Sequence, residues 1–334
     1  MKKETTVVDN SCRIKEVEVN AGWEKDLLKN SAYREYRRKW KEATEGQTVF
    51  GFPLFIEIEA SYACNYNCIK CPRAYSVLKP GGELSDELFE KLLKEAQEQN
   101  LYSINFSHGG EPLLRKNLSD MVLKSKEAGI LDILIHTNAS MLTEEMSRRL
   151  IENGLTKINF SLDAFSRKTY DKVRPGGDFN KALKNIDNFL KIKKQFGKSY
   201  PRVRVSFIVM NENRHEANDF YEFWKDKADL ISFQQCMDYS MLKDDVKGKI
   251  DINKKHICSS LLQMLMISHD GSIMPCLQDY NHELILGNLK TDTIKQCWNS
   301  EKLNKMRERH LKNRWHEISM CRRCIGMNSR RLSG

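Results

Sequence analysis

Long hydrophobic runs are missing from this 334-residue sequence. No stretch of 18 or more apolar residues occurs, so hydropathy predicts no transmembrane helix. The first residues, Met1 to Thr6, lack the apolar segment of a secretory signal peptide. Low-complexity segments are also missing, and the length suffices for one large domain or two of ordinary size. We therefore predict a soluble, cytoplasmic protein that does not associate with a membrane.

Aromatic residues are scarce around the most basic part of the chain. The formal net charge is +10, which raises the question of an anionic partner. Basic residues concentrate near the C-terminus at Lys302, Lys305, Arg307, Arg309, Lys312, Arg314, Arg322, Arg323, Arg330 and Arg331. Only Trp298 and Trp315 lie near them, whereas nucleic-acid binding favours a basic patch interleaved with aromatics. A solvated lysine-rich surface is the simplest explanation of this net charge. Among anionic partners, the charge favours a phosphate or carboxylate on a small substrate over nucleic acid.

A fourth cysteine is missing beside the densest cysteine group. Cys64, Cys68 and Cys71 form a CxxxCxxC run directly after the apolar segment 54–60, and the next cysteine is Cys236. A closed zinc site or a fully protein-bound four-iron cluster needs four ligands, so one position is expected to be open to a small molecule. Seven of the ten cysteines fall into two metal-like groups, which favours a reducing compartment over disulfides.

This spacing resembles the defining motif of the radical S-adenosylmethionine (SAM) superfamily. The resemblance implies that Cys64, Cys68 and Cys71 bind three irons of a [4Fe–4S] cluster and that the methionine end of SAM chelates the fourth. It further implies reductive cleavage of SAM to a 5′-deoxyadenosyl radical, which abstracts hydrogen from an unactivated carbon. An electron donor such as flavodoxin or ferredoxin is then an expected partner.

Strand-like and helix-like segments alternate from residue 54 onward, which indicates a parallel sheet built from βα units. The candidate strands are 54–60, 102–107, 131–136, 156–162, 202–209 and 229–234. The candidate helices are 86–99, which Ser85 would cap, 117–128, 143–153, 178–196 and 215–226. Six units fall short of the eight in a closed barrel, so we predict an α/β fold with an open, partial (β/α)6 barrel, as the resemblance also implies. The predicted domains are a helical N-terminal extension without strands (1–50), the barrel (51–238), a linker (239–257) and a C-terminal twitch-like domain of β-hairpin plus helix (258–334).

Polar residues follow the predicted strands at the end where parallel α/β folds bind ligands. Gly109 and Gly110 follow the second strand and let the backbone approach a ligand closely. Glu111, next to them, offers a carboxylate to an ammonium group. The run resembles the family's GGE motif, which contacts the methionine amine of SAM. Taken alone, it would be an ordinary turn.

Other strand ends carry Asn138 and Ser161, with Arg174 a helix length later. They resemble family loops that touch the ribose hydroxyls and the methionine carboxylate of SAM. The alternative is that Asn138 and Ser161 cap the helices that follow them. Lys70 stands where the family has an aromatic or large apolar residue near the adenine, and Tyr66 is the nearby aromatic candidate.

A second group of four cysteines, Cys258, Cys276, Cys321 and Cys324, follows the predicted barrel. A hairpin with an Asp-Gly turn should bring the first two together, and a helix around 293–310 leads to the CxxC pair. Four thiolates make a closed site, either tetrahedral zinc or a [4Fe–4S] cluster. The order resembles the SPASM/twitch extension of radical SAM enzymes in its shortened twitch form, with a single auxiliary cluster. Within that group it is most similar, through Met274-Pro275-Cys276, Gly287-Asn288 and the run from Cys297 to Lys302, to the aminocyclitol (2-deoxy-scyllo-inosamine) dehydrogenases.

A closed auxiliary cluster cannot easily bind substrate, so electron transfer is its expected role, with a structural brace as the alternative. We expect an oxidoreductase with SAM and two [4Fe–4S] clusters that acts on a hydroxylated small molecule such as an amino sugar, cyclitol or sugar nucleotide. The alternatives are peptide modification by thioether or carbon–carbon crosslinking and, in a different class, a zinc-dependent nucleic-acid-binding module. Gln235 and Asp238, just past the sixth strand, are the candidate catalytic groups for deprotonating the substrate radical.

Overall fold

The computed structural model describes residues 14–20, 25–46, 48–78, 81–237, 239 and 255–329. The strands there are β1 (Ile14–Glu18), β2 (Phe55–Ile58), β3 (Ser103–Phe106), β4 (Asp132–Thr137), β5 (Lys157–Ser161), β6 (Arg202–Val209), β7 (Leu230–Gln235), β8 (Met264–Ile267), β9 (Ser272–Met274) and β10 (Gly287–Asn288). The α-helices are α1 (Ser31–Thr44), α2 (Asp86–Glu98), α3 (Leu118–Glu127), α4 (Glu144–Glu152), α5 (Arg167–Val173), α6 (Phe179–Gln195), α7 (Ala217–Trp224), α8 (Ser260–Gln263), α9 (Ile294–Trp298), α10 (Glu301–Leu311) and α11 (Ser319–Ser329).

All the strands belong to one sheet with the order β1-β7-β6-β5-β4-β3-β2-β8-β9-β10. Each pair of neighbours from β2 to β7 is parallel. Within the described ranges the two end strands, β1 and β10, do not pair with each other, so the sheet does not close. The prediction of a partial (β/α)6 barrel is confirmed.

Local sequence signals account for the individual barrel units. Ser85 caps α2 by accepting a hydrogen bond from the Leu88 amide, as predicted. The buried face of α2 carries Phe89 and Leu92, spaced by a helical turn, which pack on the sheet. All four residues of β2 are buried, as is typical of a parallel strand covered on both faces.

The two faces of the barrel strands differ in polarity. Ile56 and Ile58 belong to the apolar core shared with the helices. The Glu57 side chain between them accepts a hydrogen bond of 3.1 Å from Asn105 on β3. On β5, Asn159 likewise donates to Ser206 of β6 over 3.2 Å. The barrel interior is therefore polar, which prepares it for a polar ligand at the strand ends.

The N-terminal region contains a strand that the sequence interpretation missed. β1 pairs antiparallel with β7, from Ile14 opposite Gln234 to Glu18 opposite Leu230, so the prediction of an extension without strands was wrong. The exposed edge of β7 supplies the backbone partners, which no local pattern in the N-terminal segment reveals. The helical part of the prediction is confirmed by α1, whose Tyr33 is buried.

The C-terminal hairpin continues the barrel sheet. β8 lies parallel to β2, with Phe55 opposite Met264, and antiparallel to β9. Gly271 has φ +88°, the left-handed conformation that favours glycine in the predicted Asp-Gly turn. The helix predicted over 293–310 is instead two helices, α9 and α10. Ser300 begins α10 because its side chain accepts a hydrogen bond from the Leu303 amide.

The short helix α8 precedes the first hairpin strand, and neither α5 nor α11 was predicted. Of the predicted linker, only 239 and 255–257 lie among the described residues, and the domain boundaries stay predictions. Among the helices described, none is both long and apolar enough to cross a lipid bilayer.

Candidate active site

A cavity of about 310 Å³ opens where the loops after the barrel strands meet. It is lined by all three cysteines of the first group and by all seven residues predicted to bind the cofactor. These ten are Cys64, Cys68, Cys71, Tyr66, Gly109, Gly110, Glu111, Asn138, Ser161 and Arg174. The strand-end pattern in the sequence therefore does bring these residues together.

Backbone hydrogen bonds hold the loop that carries the first cysteine group. The Asn67 amide donates to the Pro175 carbonyl over 2.8 Å, and the Ile69 amide donates to the Val173 carbonyl over 3.2 Å. These contacts tie the loop to the end of α5. The side chain of Asn65 donates to the Ser140 hydroxyl over 2.8 Å, which ties the loop to the residues after β4.

The three thiols of this group fit the ligand set of a metal cluster, which would bind them as thiolates. Burial raises the pKa of Cys64, Cys68 and Cys71, and binding of a metal would favour their deprotonated form. Arg174 acts in the opposite direction, because its guanidinium lies 3.8 Å from the Cys68 sulfur. Soft thiolates around a partly open cavity fit the ligand set of an iron–sulfur cluster.

Arg174 is itself fixed by a buried partner. Its guanidinium pairs with the Asp163 carboxylate, and both side chains are nearly inaccessible to solvent. Burial alone would lower the pKa of Arg174, but Asp163 and the Cys68 thiol raise it above its usual value. Arg174 therefore places a permanent positive charge beside the first cysteine group.

The two glycines are required by close backbone approach. A β-carbon on Gly110 would lie 2.1 Å from the Ala63 carbonyl oxygen and 2.4 Å from that of Ser61. A β-carbon on Gly109, which has φ +79°, would lie 2.1 Å from the Glu59 carboxylate. This packing explains both glycines without a ligand and sets the position of the loop just before Cys64.

Glu111 has structural partners in addition to facing the cavity. Its Oε1 accepts hydrogen bonds from the Leu113 amide at 3.1 Å and the Thr137 hydroxyl at 2.6 Å. Its Oε2 accepts from the Asn138 amide at 2.8 Å. Burial raises the pKa of this carboxyl group, and these contacts oppose the shift. A carboxylate has about four acceptor positions, so one is left for the predicted ammonium contact.

Neither Asn138 nor Ser161 caps the helix that follows it. Thr143 caps α4 by accepting from the Met146 amide, and Ser166 caps α5 by accepting from the Thr169 amide. Asn138 instead donates over 3.0 Å to Asn65 in the loop that holds the first cysteine group. The capping alternative is wrong for both residues, and their contact with the cofactor stays a prediction.

The two predicted catalytic residues fare differently from the cofactor set. Gln235 is the last residue of β7 and does not line the cavity described above. Asp238 lies outside the described residues. The strand-end rule placed them near the mouth of the barrel, but it carries no information on which strand ends face the cavity.

Several cavity residues were missed because single polar side chains within strands carry no motif. Ser107 lines the cavity and donates a hydrogen bond to the buried Glu57 carboxylate. His136 also lines it, and burial together with Arg204 lowers the pKa of this imidazole to about 3. Ser107 directly follows β3 and His136 is the last but one residue of β4, so the rule that ligands bind at strand ends could have indicated both.

The second cysteine group is assembled from distant parts of the chain. Burial raises the pKa of the Cys276 thiol strongly, and the neighbouring thiols of Cys324, Cys258 and Cys321 raise it further, which shows that the four lie close together. The Gln278 amide donates to the Cys276 sulfur over 3.3 Å. In the part of the chain that the structure describes, no three His, Cys, Asp or Glu side chains are drawn together tightly enough to hold a single metal ion.

Two tyrosines lie between the cysteine groups and line the cavity. Burial raises the pKa of Tyr280, and Tyr239, Cys71 and Cys276 add to this shift. Cys71 belongs to the first group and Cys276 to the second, so Tyr280 is near both. Its ring stacks on His108 with centroids 4.9 Å apart. The cavity lining includes none of the four cysteines of the second group, but Tyr280 and Cys324 pack against the same small apolar cluster around Met320. No motif in the sequence indicated the tyrosines that connect the two groups.

Comparison with known proteins agrees with this geometry. The Radical SAM superfamily model matches residues 58–223, and the SPASM model, described as an iron–sulfur cluster-binding domain, matches residues 258–325. An open barrel that gathers three cysteines at its strand ends defines a class of iron–sulfur enzymes. The chain belongs to the radical SAM superfamily and carries a C-terminal SPASM domain. SAM and a [4Fe–4S] cluster are therefore its cofactors, and the SPASM domain implies further iron–sulfur content.

Individual relatives are more distant. A probable GTP 3′,8-cyclase of Methanocaldococcus jannaschii is 28% identical over 193 residues, which cover 58% of this chain and 61% of that protein. The crystal structure of BtrN in complex with AdoMet and 2-DOIA has a TM-score of 0.54 at 21% identity, over 80% of this chain and 90% of that chain. Streptococcus suis SuiB bound to precursor peptide SuiA has a TM-score of 0.56 at 15% identity, over 85% and 72%. These two structures share the fold with this chain.

Proposed function

We propose that this enzyme oxidises a hydroxylated small molecule, such as an amino sugar, a cyclitol or a sugar nucleotide. The observation that carries the proposal is the position of Tyr280, which lines the cavity and lies near both Cys71 and Cys276. A second cysteine group next to this cavity-wall tyrosine can hold an electron acceptor within reach of a bound substrate. Such an acceptor is what a net oxidation requires.

The predicted ligand sets fit the cofactors of the family. Cys64, Cys68 and Cys71 would hold the cluster that SAM completes, and the four cysteines of the second group would saturate another. When bound, SAM and these clusters supply the removal of a hydrogen atom from a substrate carbon and the uptake of one electron. The protein's own residues then bind the substrate, exclude water and accept the remaining proton.

The cavity suits a small polar substrate. Its volume of about 310 Å³ lies at the lower end for ligand pockets. Ser107 and His136 place a hydroxyl and an imidazole group on its wall, where substrate hydroxyls can form hydrogen bonds. His136 stays neutral because its pKa is about 3, so it can accept a hydrogen bond as well as donate one.

The Ser107–Glu57 pair supports a route for the proton. Ser107 faces the cavity and donates its hydroxyl hydrogen to the Glu57 carboxylate, which is buried. Burial raises the pKa of Glu57, whereas contacts with His108 and His269 outweigh burial and lower that of Glu59. Neighbouring carboxyl groups whose pKa values shift in opposite directions suit different roles. Glu57, whose pKa is raised, is the better base. Gln235 and Asp238 remain the earlier candidates, with Gln235 away from the cavity wall.

A second candidate function is supported by the curated relatives. The probable GTP 3′,8-cyclase of M. jannaschii favours radical cyclisation of a nucleotide, although the shared segment covers only 58% of this chain. A closed set of four thiols at the second group favours electron uptake over substrate binding at the metal. The structural likeness to SuiB with its precursor peptide keeps peptide modification as a further alternative.

One anaerobic experiment separates these candidates. Reconstituted enzyme is given SAM and a reducing partner, either flavodoxin or ferredoxin, with 2-deoxy-scyllo-inosamine and related amino sugars or with GTP. Oxidation predicts 5′-deoxyadenosine together with a product lighter than the amino alcohol by two hydrogens. Consumption of GTP to a product of unchanged composition, with no oxidation of the amino alcohols, would establish cyclisation instead. Protein that is colourless and loaded with zinc would contradict both.

A further inference from the structure

One buried histidine outside the cavity contacts the second cysteine group. His310 lies near the end of α10 and exposes 2% of its surface. Its Nε2 lies 3.3 Å from the Cys321 sulfur. Its Nδ1 lies 3.3 Å from the Cys258 backbone nitrogen and 3.2 Å from the His256 carbonyl oxygen. A single imidazole thus bridges two of the four cysteines.

The contacts of Nδ1 define two tautomers. With its hydrogen on Nε2, His310 accepts from the Cys258 amide through Nδ1 and donates to the Cys321 sulfur. With its hydrogen on Nδ1, it donates to the His256 carbonyl and turns a lone pair toward the sulfur. A cysteine bound to iron is a thiolate without a hydrogen, so its sulfur can only accept. Metal binding therefore selects the tautomer with the hydrogen on Nε2.

We infer that His310 is a positioning residue that donates an N–H···S hydrogen bond to Cys321 and raises the reduction potential of the cluster held by the second cysteine group. Hydrogen bonds to cluster sulfurs stabilise the more negative, reduced state, and potentials depend on them and on solvent exposure. His310 is shielded from water, so water does not compete for the sulfur. A higher potential makes the cluster a better electron acceptor, which is the role the proposed function requires. The inference rests on that function only for the presence of a cluster at this site.

The test isolates the second cluster from the first. In full-length protein with Cys64, Cys68 and Cys71 changed to Ala, the remaining cluster is titrated by potentiometry and followed by electron paramagnetic resonance. His310→Leu, which removes the donor, should shift the midpoint potential to lower values. His310→Gln keeps an amide donor and should restore most of the potential. His316→Leu removes a histidine of the same domain that makes no hydrogen bond to a cysteine among the described residues, and it should leave the potential unchanged.

The outcomes separate the inference from the function beneath it. Equal potentials in the parent, His310→Leu and His310→Gln, at equal iron content, would overturn the role of His310 and leave the oxidation proposal intact. Loss of iron in His310→Leu with retention in His310→Gln would support the hydrogen bond, whereas loss in both would overturn it. Zinc in place of iron in the parent would overturn the proposed function and, with it, the inference.

Discussion

The two cysteine groups achieve metal-binding geometry in different ways. The first takes its three thiols from eight consecutive residues, Cys64 to Cys71, on a loop between β2 and α2. The second collects its thiols from a segment before α8, the residues after β9 and the helix α11. Local sequence therefore determines the first group, whereas the second exists only once the C-terminal fold has formed.

Their electrostatic surroundings differ as well. The first group has the Arg174 guanidinium 3.8 Å from Cys68, and Arg73 acts on Cys64 and Cys71. In the second group, the buried His310 imidazole contacts the Cys321 sulfur and the Gln278 amide donates to the Cys276 sulfur. Positive charge beside the first group suits a site that also receives an anionic carboxylate, whereas a buried site with neutral donors suits a closed cluster.

The largest expected effect comes from removing the first group. Replacing Cys64, Cys68 and Cys71 together with Ala should abolish SAM cleavage and lower the iron content from about eight to about four per chain. The three thiols are the only predicted protein ligands of that cluster, and the second group is untouched. Iron analysis and mass spectrometry of 5′-deoxyadenosine measure the two outcomes. Unchanged iron would contradict the assignment of these three ligands.

Removing two cysteines of the second group should stop the reaction after SAM cleavage, at the oxidation of the substrate radical. Cys321→Ala with Cys324→Ala should still form 5′-deoxyadenosine but release no oxidised product, because the substrate radical has no electron acceptor. In heavy water, an electron from the reducing partner and a deuteron from solvent should quench the radical, so deuterium should appear at the abstracted carbon. A structural brace predicts instead a lower melting temperature with oxidised product retained by the folded fraction. Undiminished product from a variant shown to lack the cluster would rule out the electron-acceptor role.

Arg174, the cation beside the first cysteine group, offers a test with a smaller expected effect, which is measured as a free energy of unfolding. Arg174→Gln leaves the buried Asp163 carboxylate without its charged partner and should lower the free energy of unfolding by about 3–5 kcal/mol. The matched control is the double variant with Asp163→Asn, which removes both charges and should recover part of the loss. Asp163 Oδ1 also accepts from the Ile208 amide at 2.7 Å, a contact that Asn can keep. Denaturant titration measures all three proteins, and equal losses in single and double variants would exclude a coupled pair.

The close packing behind the first group can be tested at one glycine. Gly110→Ala should cost about 1–3 kcal/mol by overpacking, because its β-carbon meets backbone carbonyl oxygens of the loop before Cys64. The displaced loop should also weaken SAM binding. Gly51→Ala is the control, since nothing lies within 4 Å of its β-carbon. Equal stability and SAM affinity in the two variants would show that the loop adjusts without cost.

The smallest expected effect concerns the ion pair that joins the barrel to the C-terminal hairpin. The Glu59 carboxylate of the barrel contacts the His269 imidazole of the C-terminal hairpin at 2.5 Å, and this contact raises the pKa of His269. Such a group stabilises the fold fully below its unfolded pKa of about 6.5 and loses that contribution as pH rises through the folded value. The lowered pKa of Glu59 adds stability above about pH 4.3 that is lost in acid. The free energy of unfolding should therefore fall by roughly 1 kcal/mol above neutral pH, and His269→Gln should flatten that fall.

The contrast between the groups also explains what the sequence could reveal. Helices such as α2 and α6, and ten of the residues that line the cavity, follow from periodicity and from motifs at strand ends. β1 could not be predicted, because its partners lie on β7, far along the chain. Glu57, Tyr280 and His310 were missed for the same reason, since each gains its role from a neighbour that only the tertiary fold supplies.

The pairing of β8 with β2 has a consequence for how the chain is made. β2 is the first barrel strand to be synthesised, yet one of its two edges is covered only by β8, roughly 200 residues later. At 5–20 residues per second, the ribosome needs about 10–40 s to make that stretch. Throughout this time the edge next to the Cys64 loop presents unpaired backbone groups, which can recruit strands from other chains. The nascent protein is therefore vulnerable to aggregation until β8, in the last quarter of the chain, has been synthesised and pairs with β2.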